Sequence, residues 1–199
     1  MTKIVGAFLC ILTISIVQLA PAQAQTLAIL MPGAGGASPG DFLVRNQARI
    51  EGAGIQTLIT TSSSHAASVS QAETAKGRKV VIVGMSLGAT HVASALAAGA
   101  KVRGAVLVSG VYEQAKANLG SPALLPTTLM IHHSNDACRL TTPEIARSFQ
   151  QWAGRKATLR WINTRGGDDP RPCGPRGAHG FFMQDGPAVS AMISFIKSR

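Results

Sequence analysis

The residue most suited to chemistry is Ser86, within Gly84-Met85-Ser86-Leu87-Gly88. A β-branched apolar run, Val80-Val81-Ile82-Val83, precedes it, and a helix-like stretch from Ala89 to Ala98 follows. A strand, a sharp G-x-S-x-G turn and a helix form a nucleophile elbow, which lifts a serine hydroxyl above the carboxyl end of a strand. The turn is too tight for side chains flanking the serine, so glycine is required at Gly84 and Gly88. A serine hydroxyl alone is a poor nucleophile near neutral pH; it needs a base to take its proton and a carboxylate to orient that base. Asp136, in His132-His133-Ser134-Asn135-Asp136, falls in a loop just past a strand-like run, and His179 falls in a glycine-flanked loop before the last helix-like segment. Ser86, His179 and Asp136 are therefore the candidates for nucleophilic acyl transfer. Asp168 and Asp169 are rival acids, and His65, His91, His132 and His133 are rival bases. The adjacent His132-His133 pair has no third ligand at suitable spacing, so no metal is expected.

Those side chains must be carried by regular elements. Short apolar runs at Leu27–Met31, Ile55–Ile59, Val80–Val83, Ala105–Val108, Thr128–His132 and Thr158–Ile162 read as strands buried on both faces. Helix-like segments alternate with them: Asp41 to Ala53, Ala66 to Ala75, Ala89 to Ala98, Thr142 to Trp152 and Gly186 to Lys197. Thr142, Pro143 and Glu144 form a strong helix start. This alternation predicts a mainly parallel sheet covered by helices on both faces, with ligands at the carboxyl ends of the strands. Gly166 to Gly177, rich in Gly, Pro and Arg, reads as a loop.

The chain opens with Lys3, an apolar run from Ile4 to Leu19 and Ala22-Gln23-Ala24, the pattern of a cleaved secretory leader over residues 1–24. Residues 25–199 then make one domain, periplasmic or secreted, with no stable membrane span once the leader is removed. Cys10 lies in the leader, so Cys138 and Cys173 remain; an even count in an oxidising compartment predicts one disulfide. The net charge of +10 is spread without a basic run, among one Tyr and two Trp, which argues against nucleic-acid binding.

Four motifs taken together resemble one family. Pro32-Gly33-Ala34-Gly35-Gly36, Gly84 to Gly88, Ile131 to Asp136 and Ala178-His179-Gly180-Phe181-Phe182 are similar to those of small, exported bacterial α/β-hydrolase fold proteins of the serine esterase kind. The order Ser86, Asp136, His179 is theirs as well. The resemblance implies a three-layer α/β-hydrolase fold. Relatives often carry two further N-terminal strands, so about six are expected here. It implies Ser86 as nucleophile, His179 as general base and then acid, and Asp136 as the orienting acid. It also implies an oxyanion hole from the backbone N–H groups of Leu87 and Ala34; many relatives have His-Gly where this chain has Pro32-Gly33. A Cys138–Cys173 bridge would tie the acid loop to the histidine loop. The interval between Ser86 and Asp136 leaves no room for a large lid. The implied activity is hydrolysis of carboxylic esters of small molecules without a cofactor. A catalytically silent envelope protein that binds an acyl ligand, or a small peptidase, are the alternatives, and the oligomeric state is not readable.

Overall fold

The computed structural model describes residues 26–164, 167 and 169–199. The leader read over residues 1–24, Cys10 and the rival acid Asp168 lie outside the described residues. β1 (Leu27–Met31), β2 (Gln56–Ile59), β3 (Val80–Met85), β4 (Gly104–Val108), β5 (Thr128–His133) and β6 (Ala157–Ile162) form one sheet in the order β2-β1-β3-β4-β5-β6. Every neighbouring pair is parallel. All six expected strands are present, within two residues of the expected ends. Their unbroken apolar sequences follow from burial on both faces: every residue of β1, β3 and β4 is buried.

The helices divide between the two faces. α4 (Gly88–Ala97), α5 (Tyr112–Leu119), α6 (Pro143–Ala153) and α3 (Ser63–Ala75) cover one. There Ile29, Ile82, Leu107 and Met130 pack on Val92, Leu96, Tyr112 and Phe149. α1 (Phe42–Arg45), α2 (Gln47–Glu51) and α7 (Asp185–Lys197) cover the other, where Leu30, Val83, Val108 and Ile131 meet Phe42, Ile50, Met192 and Ile196. Full burial of one such aliphatic side chain stabilises the fold by about 1.5–3 kcal/mol. Among the described residues no helix is long and apolar enough to cross a membrane.

Two expectations need correction. Asp41 to Ala53 is not one helix but two short ones meeting at Asn46. The Asn46 side chain donates to the Phe42 carbonyl (2.9 Å), its backbone leaves helical geometry, and Asp41 caps the first piece. Asn side chains compete with the backbone in this way and break helices. The connection between β4 and β5 carries α5, a helix the apolar pattern did not single out because its outer face is polar.

β1 is the strand where the order reverses, with β2 on one side and β3 on the other. A crevice opens at the carboxyl ends of the strands flanking such a reversal. Met31 of β1 is in register with Gly84 of β3, so the loop after β1 and the turn at Ser86 face each other across it.

Candidate active site

The turn after β3 puts Ser86 at φ 52°, a left-handed conformation that a non-glycine residue adopts only when its surroundings enforce it. Three bonds hold it there. The Ser86 N–H donates to the Val108 carbonyl (2.9 Å), and its carbonyl accepts from the Ala89 and Val111 N–H groups (3.1 Å each). The flanking glycines are required by contact. A Cβ on Gly84 would lie 2.5 Å from the Gly88 carbonyl oxygen, and one on Gly88 would run into the Met31 carbonyl oxygen. The helix after the turn is thereby pressed against β1.

Asp136 lies in the turn after β5. Its Oδ1 accepts the Cys138 N–H (3.0 Å) and its Oδ2 accepts the Thr141 hydroxyl (2.9 Å). His179 sits in a 3-10 turn (Ala178–Gly180) just ahead of α7. Its Nδ1 lies 3.0 Å from Asp136 Oδ2 and its Nε2 lies 3.1 Å from Ser86 Oγ. Asp136 and His179 are both 3% exposed, so the bond between them is shielded from water, while the Ser86 end is only partly buried. The three sequence candidates come from loops after β3, after β5 and before α7, and the fold brings them together.

Cys138 and Cys173 are bonded, across a sequence separation of 35. The bridge joins the Asp136 loop to the segment leading into His179. Cys138 is also part of the Asp136 turn through its backbone, since its carbonyl accepts the Thr141 N–H (2.9 Å).

The rivals are placed elsewhere. Asp169 is engaged by Arg171 and by the Arg176 N–H. His132 and His133 cannot act as a pair, because neighbouring residues of a strand point to opposite faces. His133 faces α7, with Nε2 near the Thr164 carbonyl (3.0 Å) and Gln184 (3.1 Å). His132 faces Tyr112 and Trp161. Its Nε2 meets the Thr141 carbonyl (2.7 Å) and lies 3.6 Å from Asp136 Oδ2. Burial pushes the His132 pKa down to about 4, against a smaller opposing pull from Asp136, so the ring is neutral near pH 7. His91 on α4 is also pushed down by burial.

Three contributors were not visible in the sequence. The Thr141 hydroxyl touches both Asp136 Oδ2 and His179 Nδ1 (3.0 Å), closing a triangle around the acid. In the sequence it is masked by Thr142, the helix cap beside it. Asp41 is buried beneath the loop after β1, where its Oδ2 accepts the Gly33 N–H (2.9 Å). Burial raises its pKa, opposed by the N–H groups of Gly33, Leu43 and Val44 and by the charge of Arg45. Arg45 reaches the Gly180 carbonyl next to His179.

A cavity of about 420 Å³ opens beside Ser86. The loop after β1 (Gly33, Ala34, Gly35), Met85, Leu87, Phe42 and Val111 form part of its wall; the disulfide, Leu140, Pro175 and His179 form the rest. Leu87 and Leu140, at 37% and 51% exposed, give it an apolar lip. Asp41 is its one carboxylate, and no Lys or Arg lines it among the described residues. Ala34 and Leu87, the two residues expected to offer backbone N–H groups to an oxyanion, both border this cavity.

No curated protein matches the sequence. Solved structures do. An alpha-beta serine hydrolase homologue from Coxiella burnetii is 14% identical with a TM-score of 0.63, covering 86% of this chain and 85% of its own. An esterase from Exiguobacterium antarcticum is 10% identical with a TM-score of 0.61, over 86% and 92% of the two chains. A CIB-like hydrolase from Thermoplasma acidophilum is 16% identical with a TM-score of 0.60, over 90% of each. At such identities these likenesses speak for the fold. The sequence itself matches the alpha/beta hydrolase family over residues 8–193. With its parallel sheet, its strand–turn–helix around Ser86 and this match, the chain belongs to the alpha/beta hydrolase family.

Proposed function

We propose that the protein is an exported serine hydrolase that cleaves carboxylic esters of small, neutral acyl groups. The observation that carries this reading is the unbroken hydrogen-bonded path from Ser86 Oγ through both ring nitrogens of His179 to Asp136. His179 Nε2 takes the Ser86 proton as Oγ attacks the ester carbonyl. Asp136 holds the ring by Nδ1–H and stabilises the imidazolium that forms. The negative charge on the tetrahedral carbonyl oxygen is met by the Leu87 and Ala34 N–H groups, each worth about 2.7–4 kcal/mol in the transition state. Collapse expels the alcohol, which takes its proton from His179 Nε2. Water then attacks the acyl-enzyme with His179 again as base, and the freed acid leaves Ser86 protonated.

The wall of the cavity supports the acyl preference. Among the described residues an anionic acyl group would find a carboxylate at Asp41 and no Lys or Arg, whereas an alkyl chain finds Phe42, Val111 and Leu140. The apparatus uses side chains and backbone alone, with no cofactor or metal in any step. Residues 1–24 are read as the leader and residues 25–199 as the hydrolase domain. The disulfide fits a periplasmic or extracellular location, since such bonds persist in oxidising compartments.

The test is labelling by a fluorophosphonate probe together with turnover of 4-nitrophenyl esters. Wild type is expected to label once per chain and to hydrolyse butyrate faster than the acyl 4-nitroanilide. Ser86→Ala is expected to lose both properties. Folded wild-type protein that neither labels nor turns over any ester would instead favour a silent acyl-binding protein, and faster anilide cleavage a peptidase.

A further inference from the structure

The site is divided between two walls that belong to different parts of the chain. One is the turn after β1, Gly33 to Gly36, closed by the Gly36 N–H on the Gly33 carbonyl (2.9 Å). It lies directly against the nucleophile: a Cβ on Gly33 would stand 3.3 Å from Ser86 Cβ. The other is the turn that carries His179. Oxyanion stabilisation requires the first wall, and proton transfer the second, to keep a fixed position relative to Ser86, because both act only over a narrow range of distance.

The single-turn helix α1 touches both. At its start, Asp41 does two things with one carboxylate. Oδ1 caps the helix, accepting from Leu43 N–H (2.8 Å) and Val44 N–H (3.4 Å), while Oδ2 reaches back to Gly33 N–H (2.9 Å). At its end, Arg45 spreads its guanidinium over three partners. Nη1 donates to the Gly40 carbonyl (2.8 Å), Nη2 donates to the Gly180 carbonyl, and Nε and Nη2 donate to the two Asp185 oxygens (2.9 and 2.6 Å). The guanidinium also lies near the Phe42 and Phe182 rings, 5.5 and 5.8 Å from their centroids. Gly180 follows His179 directly, and Asp185 begins α7.

Asp41 cannot assist the reaction by its charge, since a carboxylate beside a developing oxyanion repels it. What it supplies is geometry. By accepting the Gly33 N–H it holds that donor and fixes the start of the turn, and the next residue, Ala34, borders the cavity. A helix of four residues has no stability of its own; Phe42 and Leu43 seat it on the sheet, and the end contacts set how it meets the two turns.

We propose that α1 is a strut that sets the spacing between the oxyanion turn and the His179 turn, with Asp41 and Arg45 as its positioning residues. The proposal rests on the reading of Ser86 as nucleophile and of Ala34 N–H as an oxyanion donor. If both ends serve one strut, cutting either end releases the same constraint. Cutting both then costs little more than the more damaging single cut.

The experiment uses Asp41→Ser, Arg45→Lys and the double variant, with Ser86→Ala alongside. Serine caps a helix as aspartate does but is too short to reach Gly33. Asp41→Asn is a second form of the same cut: its Oδ1 can keep the cap, and the Nδ2 that replaces Oδ2 cannot accept the Gly33 N–H. Lysine keeps the charge at position 45 but cannot fork to Gly180 and Asp185 together. On 4-nitrophenyl butyrate, Asp41→Ser is expected to lower kcat about 100-fold, the scale of a lost or displaced oxyanion donor, with KM changed less than about threefold. Inhibition by butylboronic acid, which mimics the tetrahedral state, should weaken in step with kcat, while inhibition by butyrate should not. A purely structural role would not separate those two inhibitors. The double variant should lie within about threefold of the worse single variant, the mark of residues acting as a unit. Wild-type kcat in both Asp41 variants, or multiplicative losses in the double variant, overturns the strut while inactive Ser86→Ala leaves the serine reading standing. An active Ser86→Ala overturns the serine reading and the strut with it.

Discussion

The Cys138–Cys173 bridge offers the most direct quantitative test of how the site is held. Replacing both cysteines by alanine removes a cross-link over a separation of 35 residues. In the chain-entropy treatment a closed loop of that length limits the unfolded chain enough to stabilise the fold by about 4 kcal/mol. For a domain of this size about 1 kcal/mol moves the melting temperature by roughly 2–4 °C, so the variant should melt about 10 °C lower. Urea denaturation at 25 °C should return the same loss, with a steeper slope because the unfolded chain expands. Activity should respond separately. The Cys138 backbone bonds to Asp136 and Thr141 do not need the sulfur, so the acid keeps its two donors. What is lost is the tether between that turn and the segment entering His179. A fall in kcat of about 10-fold at 25 °C is expected, well short of losing Ser86. Cys173 is exposed while Cys138 is buried, so dithiothreitol should reach the bridge from one side and reproduce both effects. A stability loss under about 1 kcal/mol would refute the entropy argument, and wild-type kcat in the alanine variant would show that the other contacts alone place His179.

Acid should destabilise the protein through His132. Its pKa is about 4 in the fold against 6.5 ordinarily, so its contribution is present above pH 6.5 and is lost as pH falls to about 4. A shift of that size corresponds to about 3 kcal/mol across the window. His132→Gln keeps a donor for the Thr141 carbonyl and cannot titrate. Its urea midpoint should therefore fall much less than that of wild type between pH 7.5 and 4.5, and equal falls would exclude His132 as the cause. Gly88→Ala should cost about 3 kcal/mol or more and abolish fluorophosphonate labelling, because its Cβ meets backbone atoms of Met31 and Pro32 that cannot move aside. Gly186→Ala in the first turn of α7 meets nothing within 4 Å beyond its chain neighbours, but Pro187 follows it and disfavours a helical alanine there, so the gain in helix propensity is offset and stability should change by less than about 1 kcal/mol. Urea midpoints of the two alanine variants check the contrast.

The α/β architecture was legible because it is written locally. Strands buried on both faces need consecutive apolar residues, and helices between them need caps, so Val80-Val81-Ile82-Val83 and Thr142-Pro143-Glu144 declare themselves without any knowledge of their neighbours. The tight turn at Ser86 declares itself too, since only glycine fits at Gly84 and Gly88. Asp136 and His179 could be nominated because each sits in a loop at the end of a regular element. α5 and the break at Asn46 were missed. A mostly polar helix shows a weak stripe, and an asparagine breaks a helix only where its side chain finds the right carbonyl.

What sequence could not fix were relations between groups far apart along the chain. Thr141, Asp41 and Arg45 look like an ordinary threonine, a helix cap and a surface cation until the fold places them against Asp136, Gly33 and Gly180. His132 and His133 look like a pair until the strand turns them to opposite faces. The sequence by itself determined the elements and the turn at Ser86, because these depend on steric and hydrophobic preferences of nearby residues. Only the tertiary structure decided how the three loops meet and which groups brace them, because hydrogen-bond geometry depends on distances set by the packed sheet.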